Sequence, residues 1–277
     1  MTMPGATELE NDNNNATSSG AIGSDSYGQK YSSIEQMWES EGVVAGDLNT
    51  NWYERAATYY EDHCDATVDG VLGGFSHIST CDLDFSREFV STLQHTVRPK
   101  LLQATNDAAA VVACECGAGI GRVSKGLLLP LGVSQCDLIE SSEKLLAEAP
   151  IYIGDELSSR CRFYCRGLQE WTPKENTYSI IWIQWVLCYL VDEDIVAFLT
   201  RCKSALTEYG VIVLKENTCE GETFVLDKDD ASVTRSLPYW LKLIEKAGLR
   251  VVYQERQTNF PDELFPVPML ALEANRD

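Results

Sequence analysis

The string Glu115-Cys116-Gly117-Ala118-Gly119-Ile120-Gly121-Arg122 carries the densest chemistry in this chain. It follows an apolar run at 111–114 and leads into a segment of helical period at 123–129. Glycines in such a strand-to-helix turn let the backbone bend tightly and admit a ligand without Cβ interference. A dinucleotide fingerprint would read GxGxxG with glycine or alanine at 122, whereas this chain has glycine at 121 and a bulky arginine at 122. The spacing GxGxG, with an acid two residues ahead, suits S-adenosylmethionine, which has no pyrophosphate. Arg122 would then pair with the cofactor's carboxylate, and backbone groups near Gly117 would hold its amino group. Glu140 ends the next apolar run 19 positions after Gly121, placed to accept both ribose hydroxyls. Two further runs end in Gly167-Leu168-Gln169 and Ile183-Gln184-Trp185. An amide at Gln169 suits an adenine edge. Gln184 is the lone polar residue of its run and needs a hydrogen-bond partner if buried. On the turn alone, a nicotinamide oxidoreductase and a ligand-free packing turn remain open.

These residues need a scaffold that brings several strand ends to one place. Short apolar runs at 111–116, 135–140, 162–165, 179–185, 211–216, 250–255 and 267–272 predict strands. Amphipathic stretches separate most of them. The clearest spans 192–206, with Ile195, Phe198, Leu199, Cys202 and Leu206 on one face and Asp192 placed to cap it. Another is predicted over 233–247. Strands followed by helices mean βαβ units and a parallel sheet covered on both faces. Only about ten residues, two of them proline, separate the last two runs, too few for a crossover helix. The last strand should therefore insert antiparallel. Six parallel strands and one late antiparallel strand make an α/β, Rossmann-like, seven-stranded class I methyltransferase sheet. The predicted organisation is a largely disordered polar and acidic tail over 1–45, then one domain over 46–277. An N-terminal helical extension occupies 46–105 of that domain.

Composition narrows the function classes. The 277 residues carry 42 acidic and 22 basic side chains, a net charge of −20. That sign repels phosphate backbones and speaks against direct nucleic-acid binding. No apolar run is long enough for a membrane span. The first residues show neither a basic nor an apolar signal-peptide region, so a cytoplasmic and/or nuclear location is expected. Ten cysteines without a CxxC pair, and only three histidines, read as reduced thiols and give no metal site.

Longer strings add a resemblance. ATVDGVLGGF (66–75), ECGAGIGRVSKGLLLPL (115–131), GLQEWTP (167–173), IIWIQWVLCYL (180–190), FLTRCKSAL (198–206) and ERQTNFPDELFPV (255–267) are the strings concerned. From about 52 to 272 the chain resembles the protein α-N-terminal methyltransferases, which methylate the exposed α-amino group of proteins beginning Xaa-Pro-Lys. The resemblance implies S-adenosylmethionine as cofactor, S-adenosylhomocysteine as product and N-terminal protein segments as partners; it leaves the oligomeric state open. It puts cofactor contacts on Gly117, Arg122, Glu140, Leu168, Gln169 and Gln184, within the triple-glycine turn that includes Gly119 and Gly121. It puts a peptide channel on Tyr60, Leu72, Gly73, Ile78, Trp185, Leu264 and Phe265, with Ser232 beside them and Asp227 facing the substrate lysine. The catalytic asparagine and aspartate fall on Asn217 and Asp230. This chain departs from the family in four places: Glu140 replaces the usual aspartate, Tyr60 a frequent tryptophan, Cys188-Tyr189 stands where a histidine is common, and the segment 218–229 is one residue longer than the family pattern. Asp230 also reads as an N-cap for the helix predicted over 233–247.

The mechanism so implied is in-line methyl transfer to a neutral amine, with Asp230 taking the proton, Asn217 orienting the nitrogen and Tyr189 assisting by hydrogen bonding. A small-molecule amine methyltransferase and a noncatalytic S-adenosylmethionine-binding protein are the alternatives.

Overall fold

The structure is a computed structural model, and it describes residues 22–103, 110–221 and 223–275. The amino-terminal part holds β1 (Gly23–Asp25), β2 (Lys30–Tyr31), α1 (Ile34–Ser40), α2 (Thr50–His63), α3 (Val68–Val71) and α4 (Ser79–Thr96). The central part runs β3 (Val112–Cys116), β4 (Gln135–Glu140), α5 (Glu143–Ile153), α6 (Asp155–Ser158), β5 (Cys161–Cys165), β6 (Tyr178–Gln184), α7 (Asp192–Ala205) and β7 (Leu206–Lys215). After it come β8 (Thr218–Cys219), β9 (Phe224–Asp227), β10 (Ser232–Ser236), α8 (Leu237–Lys246), β11 (Leu249–Arg256) and β12 (Pro268–Ala274).

All seven strands expected from the apolar runs form one sheet, in the order β11-β12-β7-β6-β3-β4-β5. β12 alone is antiparallel to its neighbours β7 and β11. Period-two alternation explains why both faces need cover. On β6, Ile181 and Ile183 pack with Phe198 and Leu199 of α7 and Trp240 and Leu243 of α8. Ile180 and Trp182 point the other way, toward Phe89, Val90 and Leu93 of α4 and Ala149 of α5. The strand order reverses beside β3, whose next neighbours are β4 and β6. A crevice therefore opens past the carboxyl ends of these strands, the place where open α/β sheets bind ligands.

Three expectations need correction. The segment from Ile22 to residue 45, expected within a tail, builds β1, β2 and α1 and buries Tyr31, Ile34, Met37 and Trp38; residues 1–21 lie outside the described residues. The helix expected over 233–247 begins only at Leu237, because Ser232–Ser236 pairs as β10 with β9. Asp230 consequently lies in the hairpin turn, next to Ala231 in left-handed conformation (φ 56°), and caps no helix. Asp192 is the first residue of α7 rather than its cap, and its carboxylate instead receives Arg235, Tyr239 and Trp38. A second sheet, β2-β1-β9-β10-β8, was not anticipated at all.

Candidate active site

The triple-glycine turn sits at the carboxyl end of β3. Gly117, Gly119 and Gly121 all have positive φ (67°, 53° and 79°), which side-chain-bearing residues rarely adopt. A Cβ on Gly117 would lie 2.6 Å from Val186, so the turn closes directly onto the loop after β6. A Cβ on Gly121 would strike Ile153 and Leu138, making this glycine a helix–strand packing residue that does not line the cavity. The segment after the turn is a short π-helix, Ser124–Leu128, rather than a regular α-helix. Glu115 anchors its start by accepting the backbone N–H groups of Ser124 (2.7 Å) and Val123 (3.3 Å). Burial pushes the Glu115 carboxyl up to about 7.

In front of the turn lies a cavity of about 830 Å³, within the roughly 300–1,000 Å³ usual for small-molecule and cofactor sites. It brings together Gly117, Gly119, Arg122, Glu140, Leu168, Gln169 and Gln184 with Tyr60, Leu72, Trp185 and Tyr189. Glu140, at the tip of β4, accepts the N–H of Gly119 (2.9 Å) and of Ser142 (2.8 Å), bridging the turn and the start of α5. Its carboxyl is raised, with burial as the main cause. Gln184 finds its partners in side chains: its amide nitrogen donates to Asp82 (3.0 Å), and its oxygen accepts Trp182 Nε1 (2.8 Å).

Asp82 is a residue that the sequence did not single out. It is fully buried on α4 and joined to Lys215, to Gln184 and, at 2.7 Å, to Arg122. Burial alone would raise its carboxyl, but Lys215 and Arg122 outweigh that and hold it below the ordinary range. Burial also lowers the Lys215 ammonium. Two cations around one carboxylate leave a positive surplus beneath the cavity wall, and Arg122 presents it there. An amino-acid carboxylate is a fitting counter-ion for such a surplus. The cavity wall also holds Trp185, with left-handed φ (53°) and an indole N–H that is buried without a protein partner. Turn, surplus charge and orphaned donor together fit S-adenosylmethionine. Lys215-Glu216, two charges closing an apolar run, were the legible hint; Asp82, 133 residues away from Lys215 in sequence, had none.

Glu216 is buried and takes the N–H groups of Val186 and Leu187, both at 2.8 Å, on the same oxygen. It thereby fixes the loop carrying Trp185 and Tyr189. The Tyr189 hydroxyl lies 2.5 Å from the Tyr60 hydroxyl and 3.4 Å from the Asp230 carboxylate. Tyr60 and Tyr189 line the cavity, while Asp230 stands behind them. Asp230 is buried, accepts the Ser232 N–H at 3.0 Å, and has its carboxyl raised chiefly by burial. Tyr189 is raised well above the usual phenol range, again by burial.

The remaining expected peptide residues lie outside the cavity lining. Asn217 is half-buried just beyond β7. Asp227 ends β9 and accepts the Asp229 N–H at 2.9 Å. Gly73 is exposed after α3 and Ile78 is buried just before α4. Leu264 and Phe265 are half-buried in the loop before β12. That loop approaches the site through Phe260, whose ring centroid is 6.4 Å from that of Trp185. Among the described residues, no group of three or more His, Cys, Asp or Glu side chains could hold a metal ion.

This sheet, with its glycine turn and acid at the second strand tip, defines a class I S-adenosylmethionine-dependent methyltransferase. The chain belongs to the family of AdoMet-dependent proline di-methyltransferases, whose sequence model matches residues 48–273. Its relatives include the N-terminal Xaa-Pro-Lys N-methyltransferase 1 of Bos taurus, 43% identical over 80% of this chain and 95% of that protein. The Homo sapiens protein of the same name is 41% identical over 80% of this chain and 95% of its own length. Among solved structures, a SAM-dependent methyltransferase of Leishmania major superposes with a TM-score of 0.78 at 36% identity, covering 91% of this chain and 96% of that one. Magnesium protoporphyrin IX methyltransferase of Synechocystis, 14% identical with a TM-score of 0.53 over 84% of this chain and 97% of that one, shares the fold.

Proposed function

We propose that this enzyme transfers methyl groups from S-adenosylmethionine to the α-amino group of proteins with an Xaa-Pro-Lys-like amino terminus. The observation that carries this reading is the hydroxyl line Tyr60–Tyr189–Asp230, which runs from the cavity wall to a buried carboxylate. The cofactor, when bound, supplies an electrophilic methyl group on a sulfonium. Gly117, Gly119, Arg122, Glu140, Leu168, Gln169 and Gln184 hold it, and Asp82 keeps Arg122 and Gln184 in place.

An α-amino group has an ordinary pKa of about 7.7–8.0, so modest help frees its lone pair near neutral pH. Asp230 stands behind the tyrosines, and the Tyr189 hydroxyl is the link to it. Its oxygen accepts the amine proton as its own hydrogen passes to Asp230. A phenol raised so far stays neutral and serves as a relay, while the raised Asp230 is a stronger base than an exposed aspartate. Asn217, at the strand end, orients the nitrogen. Tyr60 and Trp185 flank a flat second residue such as proline. Leu72, Gly73, Ile78, Ser232, Leu264 and Phe265 complete the channel, and Asp227 meets the third side chain. Two of the departures from the family pattern, Tyr60 and Tyr189, thus act as one unit, since their hydroxyls touch.

The test is mass spectrometry on Xaa-Pro-Lys, Xaa-Pro-Glu and N-acetylated Xaa-Pro-Lys peptides. Methylation of the first, less of the second and none of the third is expected; equal methylation of all three refutes α-amine transfer. Cytoplasmic and/or nuclear residence is part of the proposal, supported by ten cysteines carried as free thiols. Microscopy of the tagged full chain checks it.

A further inference from the structure

The family match begins at residue 48, yet the residues before it touch both α2, which carries Tyr60, and the β9–β10 hairpin, which carries Asp230. β1 extends the second sheet by pairing in parallel with β9, with Gly23, Ser24 and Asp25 opposite Phe224, Val225 and Leu226. Tyr27 donates its hydroxyl to Asp229 in the β9–β10 turn (2.5 Å). Met37 and Trp38 pack in one cluster with Trp52 and Ala56 of α2 and with Leu226 and Ala231 of the hairpin. The Trp38 and Trp52 rings meet edge to face, 4.9 Å between centroids.

One side chain spans the gap between α2 and the turn. Glu41, at the end of α1, has a side chain only 5% exposed, and each of its carboxylate oxygens takes a different cation. Oε2 binds Arg55 of α2 at 2.7 Å, and Oε1 binds Lys228 of the turn at 3.0 Å. Arg55 donates in addition to the Lys228 carbonyl (3.3 Å), and Lys228 has a second anion in Asp25 (3.4 Å). Arg55 precedes Tyr60 on the same helix, and Lys228 precedes Asp230 by two residues. The Glu41 side chain is buried while its two cations stay partly exposed, and it is the two-cation, three-element arrangement that sets this contact apart from an isolated surface pair.

We propose that Glu41 is a positioning residue: by tying α2 to the β9–β10 turn it sets the spacing between Tyr60 and Asp230, the two ends of the hydroxyl line that Tyr189 bridges behind the peptide amine. This rests on the reading of the peptide site given above. The cofactor turn lies on other elements and does not depend on the tie.

The test uses the full chain with Glu41→Gln, which keeps shape and removes charge. KM for an Xaa-Pro-Lys peptide rises roughly tenfold, kcat falls as well because the Tyr189–Asp230 link loosens, and calorimetric affinity for S-adenosylmethionine stays at the wild-type value. Amide exchange quickens at 50–63 and 224–236 but not at 112–129. Lys228→Met gives the same pattern, the double variant is no worse than either single one, and Glu41→Asp restores part of the loss. Wild-type KM and exchange in Glu41→Gln overturn the proposal, as does a parallel loss of cofactor affinity, which marks general loosening. A wild-type chain inactive on such peptides refutes the substrate reading instead, and the exchange data still decide whether Glu41 couples the two walls.

Discussion

Replacing Glu216 by glutamine isolates the energetic cost of a buried carboxyl that shapes the active-site loop. Burial raises this group from 4.5 to about 7, although it accepts two backbone N–H groups. The folded chain therefore keeps the proton to about pH 7 while the unfolded chain releases it near 4.5. Between those values the folded state binds more protons, so stability falls as pH rises. The contribution is fully present below about 4.5 and lost above about 7. At about 1.4 kcal/mol per tenfold change in proton affinity, the ionised form costs on the order of 3 kcal/mol. Both N–H bonds end on one oxygen, so a glutamine oxygen can accept them in Glu216→Gln without the charge. Urea unfolding of both proteins from pH 4.5 to 8 measures the effect. Relative to wild type, the variant should gain on the order of 3 kcal/mol across that range. Glu115, also raised to about 7, remains in both proteins and cancels in the comparison. Stability curves that stay parallel would refute the argument that this carboxyl is held neutral by burial.

Asp82→Asn leaves Lys215 and Arg122 buried without their shared anion, which should cost roughly 3–5 kcal/mol in thermal or chemical unfolding. Added S-adenosylmethionine should recover part of the loss, as ligand-dependent melting will show. Gly117→Ala forces a methyl-bearing residue into φ 67° and against Val186, a backbone cost of about 1–2 kcal/mol, and should weaken cofactor binding in calorimetry. Asp230→Asn should lower kcat by roughly 10²- to 10⁴-fold with cofactor affinity unchanged. In wild type, the acid limb of kcat/KM should lie above the ordinary aspartate range, because burial raises Asp230, and activity should fall as pH drops through that limb.

How much was legible follows from how local each signal is. The strands at 135–140 and 250–255 were readable because apolar runs between turn residues state their own burial, and the late antiparallel strand followed from a connection too short to cross over. The glycine turn and Glu140 were readable because tight bends restrict residue types at fixed spacing. β9 and β10 escaped because they are four and five residues long and gain their stability from pairing with each other and with β1. Asp-Asp-Ala-Ser imitates a helix cap locally, and only that pairing shows it to be a hairpin turn. By itself, then, the sequence determined the sheet, the cofactor turn and the residue types facing it, since those depend on neighbours within a few positions. Tertiary structure alone decided that Asp82 holds Arg122 and Gln184, that Tyr60 reaches Tyr189, and that Glu41 spans α2 and the hairpin. Those contacts join residues far apart along the chain, where spacing carries no information and only packing brings charge and hydroxyl together.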